Sequence, residues 1–145
     1  MLYQVRFNLP DELAIAVRGG VALPELQILN HILETNEAEL VCQLDAFENY
    51  CKDNGHLATK ARFEGDVDGL LPLFLWTDAT LKDPEKRDKF SRNFTVYVKG
   101  EMLYEKLTAV TLRRYFQSLP FLDDLRMHND NPADNPPIPA EFLNI

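Results

Sequence analysis

An imidazole oriented by a carboxylate is the natural general base near neutral pH, and the chain offers three histidines for that role, His31, His56 and His128. They fall in separate segments. His128 has the best local setting, with Asp123, Asp124 and Asp130 close in sequence, so His128, Asp123 and Asp124 are the catalytic candidates. His31 sits at the polar border of an expected helix and His56 follows an Asn-Gly pair, and both read as surface residues. Nucleophilic chemistry would fall to Cys42 or Cys51. Cys42 lies outside the main apolar stripe of its segment, with Glu39 and Asp45 near it and no adjoining cation, which raises a thiol pKa and blunts the nucleophile. The two cysteines lie in a stretch expected to be one helix, about 13 Å apart along its axis. That is too far for a disulfide, so both are expected as free thiols, which fits a reducing compartment.

Metal chemistry is not expected. Asp130 to Glu141 has the length of a calcium loop, but Pro132 stands where an oxygen ligand is needed and Asn135 replaces the glycine of the sharp turn. Asp66-Val67-Asp68-Gly69 reads as a turn followed by a helix cap. The chain has no G-x-G-x-x-G, no phosphate-binding G-x-x-x-x-G-K-[ST], no G-x-S-x-G elbow and no H-E-x-x-H. No cofactor is therefore expected. Trp76, Tyr97 and Tyr104 are the aromatic residues from which a ligand pocket could be assembled. Arg113 and Arg114 beside Tyr115 and Phe116 resemble an anion or base-stacking site, yet helical spacing puts the aromatics on the buried face and the arginines on the solvated one.

Several elements must position these groups. Tyr3, Val5, Phe7 and Leu9 alternate with Gln4, Arg6 and Asn8, the pattern of a strand with one buried face. A short helix from Pro10 to Val17 ends at Gly19-Gly20, and another starts at Pro24 with Leu26, Leu29, Ile32 and Leu33 as its apolar stripe. Asn36 and Glu39 resemble a capping box that opens a helix over 37–53, in which Leu40, Leu44, Phe47 and Cys51 share one face and Asn54-Gly55 supplies the stop. Residues 58–64 read as a weak strand. Residues 65–92 stay open between strand and helix, and the charged stretch Lys82 to Arg92 is an exposed loop or short surface helix suited to a lid or a partner contact. Residues 93–106 read as a hairpin turning at Gly100, and a helix follows from Thr108 with Ala109, Leu112, Tyr115, Phe116 and Leu119 inward. A helical turn is expected around Phe121 to Met127. Four prolines between His128 and Pro139 favour an extended arm, closed by the apolar residues Phe142, Leu143 and Ile145, which are expected to dock on the chain itself or on a neighbour.

The fold class expected from this order is α+β, a mostly antiparallel sheet of about four strands with helices on one face and an extended Pro-rich C-terminal arm. A ferredoxin-like split arrangement is one topology that fits. Residues 1–127 would form a single domain and 128–145 the arm. Hydrophobic residues at 46% and charged residues at 26% are ordinary for a folded chain. The N-terminal residues lack the apolar core of a secretory signal, and the longest apolar stretch is far shorter than the roughly 20 residues of a membrane helix. The sequon Asn93-Phe94-Thr95 would matter only after export. A cytoplasmic protein without membrane contact is expected. The net charge of −8 repels phosphate polymers, so no nucleic-acid partner is expected either.

Three functional readings remain. The first is a non-enzymatic protein-interaction or regulatory protein, binding a protein partner or itself as a homodimer, with Phe142, Leu143 and Ile145 as contacts. The second is a small enzyme or ligand-binding domain with an aromatic-lined pocket. The third is an acidic mimic of DNA, which requires carboxylates in rows at phosphate-like spacing.

Overall fold

The structure, a computed structural model, describes residues 1–143. Four strands, β1 (Tyr3–Asn8), β2 (Ala38–Cys42), β3 (Asn93–Val98) and β4 (Asp123–Asn129), form one sheet in the order β2-β3-β1-β4, antiparallel throughout. Helices α1 (Asp11–Gly19) and α2 (Gln27–Thr35) connect β1 to β2, and α6 (Lys106–Phe116) connects β3 to β4. This is the connectivity of a ferredoxin-like split β-α-β arrangement. Besides the doubled helix between β1 and β2, it departs most between β2 and β3. Where β2 would turn tightly into β3, the chain inserts three helices, α3 (Gln43–Glu64), α4 (Leu70–Lys82) and α5 (Pro84–Ser91).

The alternation that predicts β1 also fixes how the sheet is used. Val5 and Phe7 on β1 pair with Val96 and Phe94 on β3, and these four side chains are almost wholly buried under α1, α2 and α6. Phe7 meets Phe116 of α6 edge to face at 5.2 Å, a geometry worth about 0.5–1.5 kcal/mol beyond the area it buries. The expected stripe Leu26, Leu29, Ile32 and Leu33 is buried on this side, as are Ala109, Leu112, Phe116 and Leu119. Gly20, in the left-handed conformation at φ 67°, ends α1, as expected of the Gly19-Gly20 pair.

Several expectations are corrected. Asn36 does not open a helix: its amide donates to the Ile32 carbonyl at 2.7 Å and closes α2. Glu37 turns the chain at φ 52°, and Ala38, Leu40 and Cys42 then pair with Val98, Val96 and Phe94. A strand therefore occupies the start of the expected helix. Helix α3 begins at Gln43 and runs through Asn54-Gly55 to Glu64, so residues 58–64 are helical. Gly55 costs that helix about 1 kcal/mol relative to Ala. Packing on α4 offsets this, with Ala58, Leu71, Thr77 and Thr80 buried in the hairpin. The Thr77 and Thr80 hydroxyls donate to the carbonyls of Leu73 and Trp76 at 2.7 and 2.9 Å.

The expected hairpin turns as foreseen, since Lys99 and Gly100 have φ of 52° and 78°, the signature of a two-residue type I′ turn. The return strand stops after one bridge, Val98 to Glu101, because Tyr104 crosses over to pair with Tyr3. Residues 121–127 are not a helical turn. Leu125 and Met127 alternate with Arg126 and His128 along β4, the strand at the free side of β1. Tyr115 is 49% exposed and does not join the inward face of α6.

The arm is not one extended rod. Short 3-10 turns at Pro132–Asp134 and Ala140–Phe142 break it. It starts beyond Asn129, because His128 and Asn129 are held in β4 opposite Gln4 and Tyr3. The second turn packs on α4, leaving Phe142 half-buried and Leu143 56% exposed, while Ile145 lies outside the described residues. Among the described residues no helix is long and apolar enough to cross a membrane.

Candidate functional site

The second face of the sheet carries the residues that alternate with the core set, Gln4, Arg6 and Asn8 on β1, Thr95 and Tyr97 on β3, and Arg126 and His128 on β4. His128 lies opposite Gln4, and Arg126 opposite Arg6. The Arg126 Nε donates to His128 Nε2 at 2.9 Å, and its Nη1 donates to the Asp124 carboxylate at 2.6 Å. An acceptor at Nε2 places the imidazole proton on Nδ1. Two of the three catalytic candidates thus meet only through Arg126. Asp123 is used locally, where its carboxylate accepts from the Asp124 backbone N–H at 3.0 Å.

Partial burial, and then the charges of Arg6 and Arg126, push the His128 pKa down to about 4 from the usual 6.5, against a smaller upward pull from Asp124. The imidazole is therefore neutral at pH 7, with its basic nitrogen already engaged. Such a group is a poor general base. Unfolding restores the usual affinity, so between pH 6.5 and 4 the unfolded chain binds more protons than the folded one. The stabilising contribution is complete above pH 6.5 and is lost as pH falls through the folded pKa. For this half-exposed group we expect a loss of about 1–2 kcal/mol after solvent screening. Urea midpoints of the wild type and His128→Asn, measured across this interval, should converge as pH falls; parallel curves would sink the expectation.

The aromatic candidates stand apart from one another. Trp76 lies in the inserted helices, edge to face with Phe47 at 5.6 Å. Tyr97 is on the second face beside Arg6. Tyr104 is buried, and its hydroxyl donates to the Val96 carbonyl at 2.8 Å while accepting from the Val5 N–H at 2.9 Å. Burial drives its pKa up to about 12. A shallow groove of about 500 Å³ passes Tyr104 together with Leu2, Val98 and Leu103, but Trp76, Tyr97 and His128 do not line it. The cysteine environments are the reverse of those expected. Cys42 on β2 is 4% exposed, with its Sγ 3.5 Å from the Phe90 and Ser91 carbonyls, while Cys51 on α3 is partly exposed. Burial raises both thiol pKa values. No group of three metal-ligating side chains comes together among the described residues.

The inserted hairpin has a surface that the spacing of its residues did not reveal. α3 is about 33 Å long and carries its turn away from the sheet. Asp66 caps the start of α4, accepting from the Leu70 and Leu71 N–H groups at 2.8 and 3.0 Å, which agrees with its reading as a cap. Around this turn Phe63 is 86% exposed and Val67 93% exposed. A groove of about 330 Å³ beside Val67 is lined by Leu57, Ala61 and Leu70 together with the charged residues Lys60, Glu64, Asp66 and Asp68, and Phe63 stands outside it. Their exposure follows from the turn between two helices, which the sequence pattern does not resolve. In class the chain is thus a four-stranded split α+β domain with a helical hairpin inserted between two strands. No protein-family model matches it, and neither the curated proteins nor the solved structures show a significant match.

Proposed function

We propose that the chain is a non-enzymatic protein-interaction protein of the cytoplasm that self-associates through the tip of the α3–α4 hairpin. The observation that carries this reading is the exposure of Phe63 and Val67 beside an unfilled groove. Isolated exposed apolar residues are ordinary, but here two nearly bare ones stand at a single interhelical turn with a groove between the helices beside Val67. Phe63 lies about 120° around α3 from the line of Leu57, Ala61 and Glu64, so it cannot fill the groove of its own chain. A two-fold contact lets each copy place Phe63 in the groove of the other, the self-complementary arrangement of an isologous dimer.

Charge supports a second copy as the occupant. The molecule as a whole is strongly acidic, yet the tip mixes Lys60 and Arg62 with Glu64, Asp66 and Asp68, so opposed tips can pair unlike charges. Two free thiols suit the cytoplasm. Light scattering over a concentration series tests the proposal. The wild type should approach the mass of a dimer, and the double variant Phe63→Ser, Val67→Ser should remain a monomer with unchanged circular dichroism. A wild type that stays monomeric, or a variant that still dimerises, removes this reading. Ligand binding is favoured by a different observation, the uncompensated arginine on the second sheet face.

A further inference from the structure

Register sets Arg6 of the central strand directly opposite Arg126 of its neighbour. Like charges so placed repel and weaken a sheet, so their neutralisation decides what the arrangement is for. Arg126 is compensated by Asp124. Arg6 is not: its Nε donates to the neutral amide oxygen of Gln4, and no carboxylate among the described residues forms an ion pair with it. The guanidinium is also half-buried, and desolvation, with the charge of Arg126 behind it, lowers its pKa. A charge withdrawn from water without a counter-charge costs folding free energy.

The surroundings are rich in donors. Tyr97 brings a hydroxyl to the same face, the Gln4 amide adjoins Arg6, and His128, with Nε2 committed to Arg126, keeps Nδ1–H as a donor, whereas the buried Thr95 hydroxyl is spent on Gln43. We propose that Arg6, Arg126 and His128 form a binding site for the phosphate group of a small phosphate monoester. Guanidinium forks match the oxygens of phosphate in two-point hydrogen bonds, and the anion supplies the counter-charge that Arg6 lacks while Arg126 keeps its pairing with Asp124. A nucleic-acid strand suits the site less well, because every further phosphate meets the field of a chain with net charge −8. This site is independent of the hairpin tip and stands whether or not the chain dimerises.

The probes are inorganic phosphate and phenyl phosphate, added to the full chain at matched ionic strength in chloride. Bound phosphate should raise the His128 pKa, followed by the imidazole proton resonances, and the response should saturate. Arg6→Gln and Arg126→Gln should each weaken binding at least about tenfold, the size of one charge-assisted hydrogen bond. Arg87→Gln, which removes a cation paired with Glu48 on the inserted helices, should not. Because Arg6 carries an uncompensated charge, Arg6→Met should melt no lower than the wild type in chloride, and phosphate should raise the melting temperature of the wild type only. A His128 response that never saturates, or a phosphate-induced rise shared equally by Arg6→Met and Arg126→Gln, overturns the site. An oligonucleotide that displaces phenyl phosphate at lower concentration than phosphate does overturns the monoester assignment.

Discussion

Replacing Tyr104 with phenylalanine is expected to lower the free energy of unfolding by about 2–4 kcal/mol, although the ring itself would still fit. The hydroxyl sits where β1 and β3 part. Their pairing runs from Asn8↔Asn93 to Val5↔Val96 and then stops, because β3 goes on beside β2 while Tyr3 pairs with Tyr104. The fork would leave the Val5 N–H and the Val96 carbonyl without partners, and the hydroxyl bridges both. Phenylalanine strands a buried donor and a buried acceptor together, each with a desolvation penalty of about 1–3 kcal/mol. Tyr115→Phe is the control, since that ring is half exposed and its loss of a hydroxyl should change stability by less than about 0.5 kcal/mol. Urea unfolding checks both variants, and equal midpoints for the two would show that the hydroxyl does not hold the fork closed.

The same fork shows where the sequence was readable. Period-two alternation of apolar and polar residues in β1 and β3 is a local property of the chain and is legible, although β3 is buried on both faces with Asn93 and Thr95 covered as well; the apolar stripes of α2 and α6 are legible in the same way. Architecture followed from their order. What escaped depends on partners distant in the chain. Asn36 has the side chain to start one helix or to finish another, and only the placement of Ile32 and of β3 selects the second. β4 was hidden because its inward residues, Leu125 and Met127, lie between acidic and basic neighbours that suit an exposed turn equally well; it is a strand because β1 has an open side there. At the candidate sites, nearby carboxylates in the sequence mark His128, whereas nothing adjacent to Arg6 sets it apart from the other outward residues of β1. No spacing rule brings residues 6 and 126 together, since that contact is a matter of register across the sheet. The hairpin tip is hidden for a similar reason, because Asn54-Gly55 imitates a helix stop that burial of Ala58 against α4 overrides.

Phe47→Ala should loosen the hairpin from the sheet and cost about 2–3 kcal/mol, less than the roughly 3–5 kcal/mol of a fully buried phenylalanine because this ring is only half-buried. Phe47 contacts Trp76 of α4 at 5.6 Å and Phe90 of α5 at 5.1 Å, both edge to face, and so it ties all three inserted helices together. Phe90 in turn packs against the main core, which makes the aromatic cluster the mechanical link between insert and sheet. The chain has a single tryptophan, and its emission therefore reports on this cluster alone. In the wild type the fluorescence and far-ultraviolet transitions should coincide. In the variant, Trp76 emission should shift to the red and change at lower urea than the loss of strand and helix signal, since local opening draws on the least stable unit. Coincident transitions at an unchanged midpoint would mean that the insert is fixed by other contacts, such as the Arg87–Glu48 ion pair at 2.7 Å. The orientation of the tip toward a second copy depends on this link, so weakening it should also weaken any dimer without touching Phe63 or Val67.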